Sequence, residues 1–359
     1  MKQQFFGIQI LRFIAAMLVV VMHTSQAISI HITGRGAGQY WSSGSAGVDI
    51  FFVISGFVMA MSVGTSLLDV RARKRAALIF IKRRLLRIVP LYWFYTLLKV
   101  ALILALPGLA TRSSVDSAHL AASLFFIPAV SPWGLIEPTL PVGWTLNFEM
   151  LFYVVFALAI ALGAPRIQFC FLIFLLFFFG NRYFSNSVPI NFYAQSIVFE
   201  FIFGICIAQA ILRLQTITPA AGGVILVSGL VLMFGLNWNP LTDRLLMWGL
   251  GAALLVSGAV ALEPWTAKVP LIAPLAFLGD ASYSIYLSHT FMVPAGVMAM
   301  KRLGVQDPFV IVPLVCLAVI VSGCLSYIWL ERPMTVFFKN ILFKTPAIIP
   351  RPWTHKHEK

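Results

Sequence analysis

The sequence predicts an all-α polytopic membrane protein of about ten transmembrane helices, with both termini in the cytoplasm. Three observations carry that prediction. Of the 359 residues, 60% are hydrophobic and only 11% are charged, more apolar surface than a soluble core needs. Ten separate runs approach the ~20 apolar residues that a bilayer asks of a helix. With the N-terminus inside, only Arg35, Arg112, Arg182, Arg244, Lys301 and Arg302 of the 26 Lys and Arg fall outside, while Lys99 lies within a span. That is a positive-inside bias. It also accounts for the net charge of +14 and the pI near 10 without a nucleic-acid partner.

The first run, residues 8–29, continues without a small-residue cleavage site and reads as a retained helix. Its core, LRFIAAMLVVVMH, is interrupted by Arg12 and His23. Eleven helical steps make roughly 1100°, so the two share a face about 16 Å apart. Arg12 falls at the cytoplasmic rim and His23 near the midplane. Ionisable residues in a bilayer are expensive and mark functional candidates; the plain alternative is a snorkelling arginine and a histidine bonded to a neighbouring helix.

Run 47–66 opens within SAGVDIFFVISGFVMA. Asp49 lies at its outer boundary, placed to pair with an arginine, to orient a substrate hydroxyl or to face water. Gly56, seven residues on, shares its face and permits close approach. Before run 86–107 stands RARKRAALIFIKRRLLR, mostly a topological signal, but Arg84 and Arg87 are spaced i, i+3. Two guanidinium forks on one face suit a phosphate or pyrophosphate, or an anionic lipid headgroup. Residues 119–130 are apolar but too short to cross and read as a re-entrant or interfacial piece.

Run 142–163 carries WTLNFEMLFYVVFA, with Trp144 at its outer end, Glu149 inside and Tyr153 one turn later. A carboxyl among Phe, Leu and Val needs a partner or a proton. Runs 167–184, 194–212, 218–236 and 243–262 supply four more spans. In run 274–297, LGDASYSIYLSH places Ser282, Tyr286 and His289 at i, i+4, i+7, a polar stripe that argues for a lined cavity rather than lipid contact. Run 308–330 ends in WLERPM, where Glu331 and Arg332 anchor the helix. Residues 1–335 therefore form one membrane domain and 336–359 a basic cytoplasmic tail. The four cysteines, Cys170, Cys206, Cys316 and Cys324, lie in apolar stretches without metal-ligand spacing, so packing is their expected role and no metal is expected. Tyr40, Trp41, Trp133 and Trp144 fit sugar stacking and an interfacial belt equally well.

Taken in order, the Arg12 and His23 pair, GVDIFFVISGF, RRLLR, WTLNFEMLFY and SYSIYLSH resemble the acyltransferase 3 family of integral membrane acyltransferases over nearly the whole chain. The resemblance implies an acyl-CoA donor, most often acetyl-CoA, on the cytoplasmic side. It implies an extracytoplasmic carbohydrate hydroxyl as acceptor, and a place in the bacterial inner membrane. Carried over residue by residue, His23 is the base or acyl-handling group, Arg12 is essential beside it, and Arg84 and Arg87 engage the donor. The stand-alone form, without an appended hydrolase-like domain, looks most like proteins that decorate exopolysaccharides, which makes polysaccharide-assembly proteins candidate partners.

The residues themselves suit such chemistry. A histidine titrating near neutrality serves as a general base, Glu149 or Asp49 is available to orient it, and Tyr286, Ser282 or backbone amides are available to a developing oxyanion. The rival class is a transporter or flippase for a lipid-linked or polysaccharide unit, which the lack of an inverted repeat disfavours. Within the enzyme class, a small-molecule acceptor and succinyl transfer stay open.

Overall fold

A computed structural model describes residues 5–34, 41–63, 69–106, 114–184, 186–211, 217–235, 244–270 and 272–343. Tyr40, the basic residues Lys2, Arg35, Arg112 and Arg213, and the tail from residue 344 onward lie outside them. Among the described residues the regular structure is helical, with one isolated bridge between Val130 and Ile136. The helices are α1 (Phe6–His31), α2 (Ala46–Met61), α3 (Val70–Ala105), α4 (Ser117–Leu124), α5 (Trp144–Leu162), α6 (Arg166–Gly180), α7 (Val188–Tyr193), α8 (Glu200–Ile211), α9 (Pro219–Leu230), α10 (Leu250–Ala261), α11 (Glu263–Thr266), α12 (Ile272–Asp280), α13 (Ser282–Arg302), α14 (Pro308–Ser326) and α15 (Arg332–Leu342). By length and composition, five stretches can cross a bilayer: Phe6–His31, Ser42–Met61, Val70–Ala105, Pro141–Leu162 and Pro308–Leu342. Four more, Arg166–Gly180, Ser196–Ile211, Pro219–Gly235 and Leu245–Ala261, are apolar but shorter.

The chain divides into two compact units, and the boundary falls inside α2, between Ile54 and Ser55. One unit holds Phe5–Ile54 and Leu214–Arg332. Its core is a seam of α1, α13 and α14, where Ala16, Val20, Ile285, Val297, Ile311 and Val319 are buried. Lipid tails are as apolar as these side chains, so close fit rather than water exclusion holds membrane helices together. Glycine supplies that fit: a Cβ on Gly279 would stand 2.1 Å from the Gln9 carbonyl oxygen, and one on Gly47 would stand 2.2 Å from that of Ala15. The N-terminus of α1 is capped from outside the helix. The Phe6 and Gly7 amides donate to the two Glu263 carboxylate oxygens at 2.7 and 2.9 Å, which satisfies orphan donors and complements the helix dipole. Burial pushes the Glu263 carboxyl above its ordinary value, against the opposing pull of those two amides.

The continuous span expected over 274–297 is interrupted at Ala281, between α12 and α13. Hydrogen bonding still runs through it: Ala281 donates to Phe277 at 3.0 Å and accepts from Ile285 at 2.9 Å. The adjoining Gly279 is a weak helix former held against α1. After α14 a π-helical turn, Tyr327–Glu331, leads into α15. The domain boundary expected at 335 lies within that last helix.

The second unit holds Ser55–Arg213 and the segment from Pro333 onward. Its longest helix, α3, starts at Val70 and not at 86, where the hydrophobic run begins. Asp69 caps it by accepting from the Ala72 amide at 3.1 Å, and the Arg, Lys and Ala residues that follow are good helix formers. Thirty-six residues make about 54 Å of helix, well beyond the ~30 Å hydrocarbon core. The basic stretch is thus an extension of the helix. Against α3 packs α5, whose Phe152 stacks on Phe201 of α8 with centroids 4.5 Å apart. The short apolar segment after residue 113 forms only the eight-residue α4, held by bonds from Tyr92 and Trp93 to the Ser123 and Leu124 carbonyls.

Candidate functional site

In the first unit, α1 is unbroken from Phe6 to His31, so Arg12 and His23 keep their shared face about 16 Å apart. They do not touch: the Arg12 guanidinium donates to Gln9 Oε1 at 3.0 Å. The side-chain partner of His23 is Gln26, whose Oε1 lies 3.3 Å from Nδ1. An amide oxygen only accepts, so this bond puts the ring proton on Nδ1 and leaves the Nε2 lone pair available as a base.

The polar stripe of α13 turns inward. Ser282, Tyr286 and His289 are all buried, as a lined interior requires and lipid contact does not. The His289 ring stacks on His23 with centroids 5.1 Å apart and planes inclined by 29°. Tyr286 lies against both His289, at 5.5 Å, and Phe51, at 6.0 Å. The Ser282 hydroxyl has no hydrogen-bond partner among the described residues. Two sequence-selected motifs, one from each end of the chain, therefore meet at a histidine pair.

Asp49 is fully buried, and its carboxylate receives Nε and Nη2 of Arg244 at 3.0 and 2.8 Å. The Arg244 guanidinium also lies over the Trp248 ring, 5.2 Å from its centroid. Of the roles open to Asp49, the pairing with an arginine is the one observed. Neither Arg244 nor Trp248 stood out in the sequence, because nothing about a lone arginine at the edge of an apolar run names its partner.

In the second unit, Glu149 accepts a hydrogen bond from the Ser55 hydroxyl and is bonded to Tyr153. Arg84 lies over the Phe80 and Tyr153 rings, 5.4 and 6.0 Å from their centroids. It donates to the Ser62 hydroxyl at 3.0 Å and to the Val58 carbonyl at 3.4 Å. Glu149 and the neutral Tyr153 phenol stand beside the Arg84 and Arg87 guanidinium groups. Glu149 is thus the countercharge within an arginine cluster, a partnership the sequence reading did not anticipate. Trp144 opens α5 and packs edge-on against Phe148 at 5.9 Å, half-buried rather than presented as an open stacking face.

Glycine makes the approach to this cluster possible. A Cβ on Gly56 would meet the Phe201 carbonyl oxygen at 2.0 Å, so the α2 and α8 backbones touch where Ser55 reaches Glu149. The four cysteines are free thiols.

No solved structure matches the chain. It is 37% identical over 307 residues to the exopolysaccharide production protein ExoZ of Rhizobium meliloti (strain 1021), a stretch that covers 83% of this chain and 91% of that protein. Residues 5–328 match the acyltransferase 3 profile, which is described as an acyltransferase domain. A histidine pair inside apolar helices, an arginine cluster on a basic helix, and a match across nearly the full length agree: the chain belongs to the acyltransferase 3 family.

Proposed function

We propose that this protein is a membrane O-acyltransferase that moves an acyl group, acetyl in the first instance, from cytoplasmic acyl-CoA to a hydroxyl of an extracytoplasmic carbohydrate such as an exopolysaccharide. In this reading ten helices cross the bacterial inner membrane and both termini face the cytoplasm. The observation that carries it is the His23 and His289 pair, a base with its Nε2 lone pair available, stacked within apolar helices. The exopolysaccharide role named for the relative from Rhizobium meliloti supports a carbohydrate acceptor.

The residues have distinct parts. Arg84 and Arg87, one turn apart on α3, fit the phosphates of the donor, and Arg83 adds an exposed charge beside them; forked guanidinium groups bind such oxygens bidentately. Glu149 and Tyr153 hold that cluster. His23 Nε2 removes the proton of the acceptor hydroxyl as its oxygen attacks the thioester carbonyl, and returns the proton to the departing thiolate. The Tyr286 hydroxyl is the side chain assigned to the developing oxyanion. Arg12 attracts the anionic donor from the cytoplasmic end of α1. No metal takes part, and assembly proteins deliver the polymer.

The test uses membranes containing the wild-type chain, His23→Ala or Arg84→Ala, supplied with labelled acetyl-CoA and surface polysaccharide. Alkali-labile label in the polymer should fall about 10²- to 10⁴-fold without the base, and Arg84→Ala should raise the KM for acetyl-CoA. Undiminished transfer by folded His23→Ala protein would remove the base from the reading. No transfer by wild type with acetyl-CoA, succinyl-CoA and small acceptors would replace the reading with transport.

A further inference from the structure

His289 is 1% exposed, and its Nδ1 bonds the Tyr286 carbonyl oxygen. A carbonyl only accepts, so the ring proton sits on Nδ1 and Nε2 carries a lone pair. No described residue donates to that nitrogen. Stacking at 29° sets the two rings face to face, which does not aim an N–H of one at a lone pair of the other. Buried acceptors are ordinarily satisfied by protein, water or ligand, and this one belongs to the histidine pair that the acyl-transfer reading places at the reaction. His23 is held in the same tautomer by Gln26, so two Nε2 lone pairs belong to one stacked pair. One attacking hydroxyl needs one base. The second lone pair is used when the acceptor brings a second hydroxyl, and neighbouring hydroxyls of a sugar ring are close enough for two stacked imidazoles to straddle.

We propose that His289 is a specificity-determining residue whose Nε2 accepts a hydrogen bond from the hydroxyl vicinal to the one acylated, so that the acceptor is a vicinal diol on a sugar ring. The inference rests on the acyl-transfer reading above. In the step itself, the reacting hydroxyl gives its proton to His23 and its oxygen bonds the thioester carbon. The carbon–sulfur bond breaks, and CoA leaves as a thiolate that takes the proton back from His23. The neighbouring hydroxyl keeps its proton throughout and donates it to His289.

The experiment uses membranes with the full chain, labelled acetyl-CoA, and surface polysaccharide from the producing cells after alkaline removal of its ester groups. Rate is read from incorporated label, and position from NMR of the product. Wild type should acylate one ring hydroxyl with a free hydroxyl on the adjacent carbon. His289→Phe keeps the shape without the acceptor and should lose about 10- to 100-fold in rate, the effect of one hydrogen bond to a buried group, while its label spreads over several hydroxyls. His289→Gln keeps an accepting oxygen and should retain the wild-type position, which covers the case of a poorly folded phenylalanine variant. Wild-type label on a hydroxyl without a free neighbour, such as a primary hydroxymethyl, would overturn the proposal. So would unchanged position in His289→Phe, whether its rate holds or falls. Absence of label from folded wild-type protein would instead remove the acyl-transfer reading, and the proposal with it.

Discussion

Breaking the Asp49 and Arg244 pair from one side should do far more harm than breaking it from the other. The carboxylate has no exposed surface, whereas the arginine side chain keeps 27%. At 2.8 Å the gross attraction is about 6 kcal/mol for an effective dielectric near 20, much of it offset by desolvation. Arg244→Ala strands a buried negative charge, a loss of about 3–5 kcal/mol. Asp49→Asn leaves a guanidinium that still reaches solvent and the Trp248 ring, and its cost is closer to the ~1 kcal/mol of an exposed pair. The double variant Asp49→Asn, Arg244→Met should recover at least half of the loss seen in Arg244→Ala, since the stranded charge is gone. Apparent melting temperatures in detergent, read by fluorescence-detected size exclusion after heating, give the order directly. Equal losses in the two single variants, or a double variant no better than Arg244→Ala, would refute the reasoning. The same three proteins decide what Asp49 does. If it is structural, the double variant regains acyl transfer to within about tenfold of wild type; regained stability with activity still down about 100-fold would return Asp49 to the chemistry.

Two further outcomes test the framework around His23. Gly279→Val should destabilise by about 1–3 kcal/mol or prevent assembly, because its Cβ would stand 2.1 Å from backbone oxygen on α1; an unchanged melting temperature would mean that α1 and α12 part easily. Glu263, with its carboxyl pushed up by burial, binds its proton more tightly when folded than when unfolded. Its contribution to stability is therefore fully present below the ordinary carboxylate value and declines as pH rises through the raised one. The melting temperature of wild type relative to Glu263→Gln should accordingly be highest at acid pH and fall toward neutrality. A difference that grows with pH would show that the two amides of α1 outweigh burial.

Much of the fold was legible because a bilayer reads composition: every apolar run named from the sequence contains helix, and α4 came out as the short piece its length demanded. The boundaries that failed did so for local reasons. Helix α3 begins sixteen residues before its apolar run, since Arg, Lys and Ala continue a helix whether or not lipid surrounds it. The interruption at Ala281 depends on how Gly279 meets α1, a tertiary contact that periodicity along α13 does not carry. The site divides in the same way. Helical spacing was sufficient to put Ser282, Tyr286 and His289 on one face and Arg84 and Arg87 on another, because those relations are internal to a single helix. It could not pair His23 with His289, Asp49 with Arg244 or Glu149 with Ser55, because each of these joins residues far apart in the chain.

The intramembrane polar residues then sort by what they hold. A charge in hydrocarbon is retained when something compensates it, and three acids have such partners here: Asp49 has Arg244, Glu149 has the Ser55 hydroxyl and Tyr153, and Glu331 has the Ser284 hydroxyl at 2.7 Å. Such pairs fix the positions of helices, and the positions matter because membrane packing alone is weakly directional. The two histidines are arranged otherwise. Each is bonded through Nδ1 to an acceptor that sets its tautomer, and each is stacked on the other rather than bonded to it. An imidazole has two ring nitrogens, each able to take part in hydrogen bonding. One tied at Nδ1 with its Nε2 lone pair available is oriented for something that arrives, which is why His23 and His289 carry the chemical reading of this protein.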